Sequence, residues 1–119
     1  MTIGQAVCIC MSKYVTFAGR ASRAEFWYWE LFIVVVGGGL LGLGLLTSFG
    51  FPLFLFDLVT ISPTLAVIIR RLHDTNHSGW SILVTFVPAV GIVLMIIWLC
   101  RRGTYGSNQF GPSPAEQAP

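Results

Sequence analysis

Charge is scarce in this chain. Only 10% of its 119 residues are Asp, Glu, Lys or Arg, against 55% hydrophobic, and the mean hydropathy is +0.76. A water-soluble domain of this size could not bury so much apolar surface, which excludes an ordinary soluble fold; no nucleic-acid partner is expected. Cysteine is rare too. Cys8, Cys10 and Cys100 are too few and too scattered for a disulfide framework and are expected to be buried, inert thiols. The first residues, MTIGQAVCICMS, lack a basic start, so no cleavable signal peptide is expected and the first apolar run reads as an uncleaved anchor. Catalytic signatures are missing as well: no serine or cysteine with a local base, no phosphate-cradling glycine loop followed by lysine, and no paired carboxylates in an evident pocket. The sequence therefore names no reaction and no cofactor.

What is present is length of apolar run. A bilayer core of roughly 30 Å needs about 20 apolar residues of helix to cross it. Leu31 to Phe51 carries no charge, Phe51 to Ile69 only Asp57, and Ile82 to Cys100 none. Continuous rather than alternating runs exclude strands of a barrel. The expected fold is all-α: an integral membrane bundle of about three transmembrane helices (27–50, 51–69 and 81–100), preceded by a short interfacial amphipathic helix (1–18). A polar cytoplasmic loop (70–80) and a flexible Gly/Pro-rich tail (101–119) complete the single domain. The first helix is read from a stripe of Ile3, Val7, Cys10 or Met11, and Tyr14, ended by Gly19. Pro63, Pro88 and Gly91 predict kinks or local unwinding in the second and third spans.

The polar residues then fall at the ends of the spans. Arg20, Arg23, Glu25 and Glu30 are interleaved with Phe26, Trp27, Tyr28 and Trp29, the pattern of a headgroup layer. Three spans would put Lys13, Arg20, Arg23, Arg70 and Arg71 on one side, favouring a cytoplasmic N-terminus, with Arg101 and Arg102 opposite. A re-entrant third segment broken at Pro88 would instead gather every basic residue on one side. In the three-span arrangement Asp57, an intramembrane charge, would find Arg101 or Arg102 as its partner, and Glu25 and Glu30 would share a layer with Arg70 and Arg71. Gly38 and Gly42 form a GxxxG pair that predicts close packing against a neighbouring helix, in the same chain or in a homo-oligomer.

The stretch RRLHDTNHSGW, Arg70 to Trp80, holds both histidines. His73, Asp74 and His77 make HDxxH, near the HExxH of zinc hydrolases. Turn formers at Thr75, Asn76, Ser78 and Gly79 oppose the regular helix such a site needs, and no third histidine is present, so no metal is expected. The plainer reading gives each residue a helix-end role, with Arg70 and Arg71 at the negative end of one helix and Ser78 capping the next.

Three phrases resemble one family: FAGRASRAEFW (Phe17 to Trp27), RRLHDTNHSGW (Arg70 to Trp80) and GTYGSNQFGPSP (Gly103 to Pro114). Together they are similar to the small bacterial inner-membrane proteins grouped as domain of unknown function 805. The resemblance implies a bacterial inner-membrane location and a few-span helical bundle, and supplies no activity. From the residues, two non-enzymatic roles are expected: a basic, aromatic cytoplasmic face that binds anionic lipid or a partner protein through Arg20, Arg23, Arg70 and Arg71, with Glu25, His73 and Asp74 in the same network, or a small oligomeric transporter or pore; equally, these arginines serve only to fix topology and pair with Glu25, Glu30 and Asp74. Phe110 is expected to tuck onto the membrane surface, with Ala115 to Pro119 disordered.

Overall fold

The structure, a computed structural model, describes residues 2–112 and residue 114. Its described residues form five helices and no strand: α1 (Ile3–Ser12), α2 (Arg23–Thr47), α3 (Phe51–Asp74), a 3₁₀ helix (Gly79–Phe86) and α4 (Val90–Cys100). Only α2 and α3 are both long and apolar enough to cross a membrane. α2 begins four residues before the expected start, because Ser22 caps it by accepting the Glu25 N–H at 3.1 Å. Ser48 ends it in the left-handed region, φ 57°. A short connection leads into α3, whose Pro52 lies in the first turn, where a missing N–H costs nothing.

α3 continues through Asp74 rather than ending at residue 69, so Arg70, Arg71, His73 and Asp74 are helical residues. The loop proper is short. Asn76 takes φ 64°, its N–H binds His73 O at 3.0 Å, and the His77 N–H binds Leu72 O at 2.9 Å. That is a Schellman cap with asparagine at the left-handed position.

The expected third span, 81–100, is not one helix. After the 3₁₀ helix the chain turns at Pro88, which donates no N–H, and Ala89 sits at φ 62° and ψ −60° while the Val90 N–H closes onto Pro88 O at 2.7 Å. This is a three-residue γ-turn. α4 then packs back on the 3₁₀ helix, and Gly91 lies so close to the Val84 carbonyl that a Cβ there would overlap it. With 11 residues α4 measures about 16 Å, half of a bilayer core. Ser78 precedes the 3₁₀ helix but makes no side-chain cap.

Tyr14 joins α3 by an unforeseen bond. Pro63 inside α3 removes the N–H that the Val59 carbonyl would accept, and the Tyr14 hydroxyl donates to that carbonyl instead. Ser62 Oγ returns a bond to Tyr14 O at 2.9 Å. Proline in this helix is thus absorbed by packing. α1 ends at Ser12 rather than near Gly19, opens with a Thr2–Gln5 capping box, and turns Ala6 and Cys10 toward the protein. Burial, reinforced by the Glu25 carboxylate, pushes the Cys10 thiol up to about 12. Cys8 and Cys100, expected to be buried, are exposed.

The core lies at one end. Cys10, Ala21, Phe26, Trp29, Val67, Leu72, Met95 and Leu99 form it, and no residue from Glu30 to Val59 is buried. The molecule is a bare apolar hairpin standing on a packed base.

Candidate functional site

The base is built around charge. Arg20, Glu25, Arg70, Arg71 and Asp74 are all buried, with side chains 0–6% exposed where they pair. α2 supplies Glu25 in its first turn and α3 supplies Arg70, Arg71 and Asp74 in its last, so two helix ends meet with complementary charge. Arg70 Nη1 donates to Glu25 Oε2 at 2.6 Å. Asp74 accepts from Arg20 Nε at 2.9 Å through Oδ1 and from Arg71 Nη1 through Oδ2. Glu30, expected in the same layer, is absent from these pairs, and its Oε1 is buried without a partner.

Three guanidiniums face two carboxylates, and backbone carbonyls offset the excess. Arg20 also donates to Gly106 O at 2.6 Å, Thr104 O at 2.7 Å and Gly111 O at 3.3 Å. Arg71 donates to the carbonyls of Leu99 and Arg101. Arg20 thus uses all five of its N–H groups, and Arg71, which uses four, is fully buried, so neither is open to a headgroup. Arg70 keeps Nε and Nη2 without hydrogen-bond partners, but it is fully buried beside Cys10.

The same bonds strap the tail over the base. Thr104 N–H binds Asp74 O at 2.7 Å, and Asn108 Nδ2 donates to His73 O at 2.9 Å. Gly103 approaches Asp74 so closely that any Cβ would strike its carboxylate. Residues 103–111 are thus a fixed strap, not the expected flexible tail, while Ser113 and Ala115 to Pro119 lie outside the described residues. Phe110, expected on the membrane surface, stacks on His73 with centroids 4.0 Å apart and planes 5° apart. His73 Nδ1 meets Gly19 O at 2.8 Å; a carbonyl only accepts, so Nδ1 carries the proton.

The other histidine is engaged elsewhere. His77 stacks on Trp98 at 4.3 Å and its Nδ1 lies 3.0 Å from Thr75 Oγ1. Burial, with Arg101 nearby, holds its pKa below the ordinary histidine value. Among the described residues no group of three or more His, Cys, Asp and Glu converges as a metal site.

Two expected placements fail. Arg101 and Arg102 return to the base, where the Arg101 carbonyl meets Arg71, so neither is at the outer end to pair with Asp57. Asp57 is exposed on the hairpin and has no ion pair among the described residues. Arg23 and Arg102 are exposed on the wall of a cavity of about 720 Å³ over Asp74. The residues that sequence reasoning missed are Tyr14, Thr104, Gly106 and Asn108; the glycine-punctuated tail phrase was the available signal for the last three.

The fold and this network define a small all-helical membrane protein whose polar end is closed by buried ion pairs. The chain belongs to the family described as "Protein of unknown function (DUF805)", whose profile matches residues 14–112. It is 40% identical over 106 residues to the inner membrane protein YhaI of Escherichia coli (strain K12), covering 87% of this chain and 90% of that one. It is 36% identical over 110 residues to the inner membrane protein YhaH of the same organism, covering 87% and 91%. The uncharacterized protein YiiR of that strain is 31% identical over 130 residues, covering 81% and 84%. No solved structure matches the chain. The described residues of the three stretches Phe17 to Trp27, Arg70 to Trp80 and Gly103 to Pro114 meet at the base.

Proposed function

We propose that the protein is a multi-pass, non-enzymatic protein of a bacterial inner membrane that crosses twice, through α2 and α3, with both described ends cytoplasmic. The segment 79–100 dips into the inner leaflet and returns, and the cytoplasmic base holds anionic lipid headgroups. One observation carries this reading: Arg20, Arg23, Arg70, Arg71, Arg101 and Arg102 all lie at the end opposite the Ser48–Gly50 connection, which has no basic residue. That asymmetry is the positive-inside pattern. Within it, Arg20, Arg70 and Arg71 are consumed by structure, which leaves Arg23, Arg101 and Arg102 exposed, with Arg23 lining a groove beside Trp27 and Tyr28. Reporter fusions test the topology. A cytoplasmic reporter is active at the C-terminus and a periplasmic one at Ser48–Gly50; three full spans reverse the first result. Lipids retained in mild detergent test the binding: enrichment of anionic over zwitterionic phospholipid relative to the source membrane is expected, and unchanged proportions sink it.

A second reading, a subunit of an oligomeric transporter or pore, is favoured by Gly38, Gly39 and Gly42 facing open space and by Asp57 exposed on the same hairpin. Cross-linking through Gly42→Cys in native membranes that yields only monomer removes it.

A further inference from the structure

Arg23 stands between two cavities of different character. On one side is the cavity of about 720 Å³ whose charged wall is Arg20, Arg23, Asp74 and Arg102. On the other is a groove of about 380 Å³ formed by Arg23, Ala24, Trp27, Tyr28 and Cys100. The first wall is short of negative charge. Asp74 is already matched by Arg20 and by Arg71 behind it, whereas Arg23 and Arg102 are exposed and enter no ion pair among the described residues. The first turn of α2 starts at Arg23 and adds the positive end of a 25-residue helix. An anion that can accept from two arginines suits this wall, and a phosphate diester does so with its two free oxygens. The groove supplies the rest of the ligand's shape. Trp27 and Tyr28 are 40% and 37% exposed there, and such rings favour the boundary between headgroup and acyl chain.

We propose that the two cavities together hold one anionic glycerophospholipid, its phosphate between Arg23 and Arg102 and its glycerol end along Trp27 and Tyr28. The inference rests on the lipid-binding reading above and gives that reading a site. The free headgroup of such a lipid occupies the remainder of the larger cavity, over the strap residues Thr104 and Tyr105. Arg20, Arg70 and Arg71 are not ligands, because their charges are engaged inside the base.

The test uses full-length protein reconstituted in phosphatidylcholine vesicles with trace spin-labelled phosphatidylglycerol, its association measured relative to spin-labelled phosphatidylcholine. Wild type is expected to prefer the anionic lipid. Arg23→Gln with Arg102→Gln is expected to lose that preference by about fivefold per arginine, about 25-fold for the pair. Arg23→Lys with Arg102→Lys keeps most of it, and Lys13→Gln leaves it within about twofold. If wild type prefers phosphatidylglycerol and the glutamine pair does so equally, the site is wrong and the lipid-binding reading stands. If wild type shows no preference, the lipid-binding reading itself falls. Displacement of the bound lipid signal by millimolar glycerol phosphate marks the site as one for a soluble phosphate and overturns the proposal.

Discussion

The apolar hairpin and the polar base obey opposite rules although the same two helices build both. From Glu30 to Val59 nothing is buried, Gly38, Gly39 and Gly42 face open space and Asp57 has no ion-pair partner among the described residues. A few turns away, three arginines and two carboxylates are sealed from solvent among Trp29, Val67, Leu72 and Leu99. In the proposed two-pass arrangement the hairpin leaves its packing to lipid, which matches its side chains without any specific contact. The base relies on specific partners, since a buried charge survives only if paired and hydrogen-bonded. A substitution should therefore be nearly silent in one region and severe in the other.

Asp74→Ala is the strongest way to expose this contrast. It strands Arg20 and Arg71 together, and a cost of about 3–5 kcal/mol is expected, read as loss of folded protein in denaturant titrations in detergent. Near-native stability would mean the network is not closed as described. Glycine substitution separates the regions by sign. Gly103→Ala and Gly91→Ala force a methyl into the Asp74 carboxylate and the Val84 carbonyl and should cost about 1–3 kcal/mol, whereas Gly38→Ala should stabilise by up to about 1 kcal/mol. A damaging Gly38→Ala would show that the hairpin packs against a protein neighbour after all. Tyr14→Phe leaves the Val59 carbonyl unsatisfied and should cost about 1–3 kcal/mol; in a Pro63→Ala background, where an N–H returns, the loss should shrink toward zero. An equal loss in both backgrounds removes the proposed exchange.

Smaller effects refine the picture. Asp57→Asn should leave folded yield in membranes unchanged or raised, since no ion pair is lost, and a drop would reveal an intermolecular partner. The smallest effect concerns His77. Its folded pKa lies below the ordinary 6.5, so the unfolded chain takes up the proton first. Stability is then complete above pH 6.5 and declines as pH falls below it. His77→Gln should flatten that part of the unfolding midpoint between pH 7.5 and 5.5; an identical slope would assign the decline to another group.

The apolar half of the fold was legible and much of the polar half was not. Uncharged runs located α2 and α3, because length and hydropathy are local properties that a membrane reads directly. The same criterion ended α3 at Ile69, since Arg70 and Arg71 look like a solvated end when their partners are 45 residues away at Glu25 and 28 away at Leu99. It also fused 81–100 into one span, because hydropathy averages over the γ-turn at Ala89 that reverses the chain. The opposed possibility, that Pro88 sends the segment back, followed from the dissenting charges of Arg101 and Arg102. Of the candidate site residues, Glu25 pairs with Arg70, and Arg20 and Arg71 with Asp74, while His73 is occupied by Gly19 and Phe110; Arg23 remains outside the ion pairs. The strap was hidden because Gly, Asn and Ser signal turning without saying what the turn touches.

The strap also sets an order of events in synthesis. Arg20 needs the carbonyls of Thr104 and Gly106, which leave the ribosome 84 and 86 residues after it. Both long apolar helices are complete by then, yet the charges between them still depend on water. The base therefore cannot close before residue 106 is made, and until then the nascent protein carries its arginines hydrated and open to whatever recognises an unfinished chain.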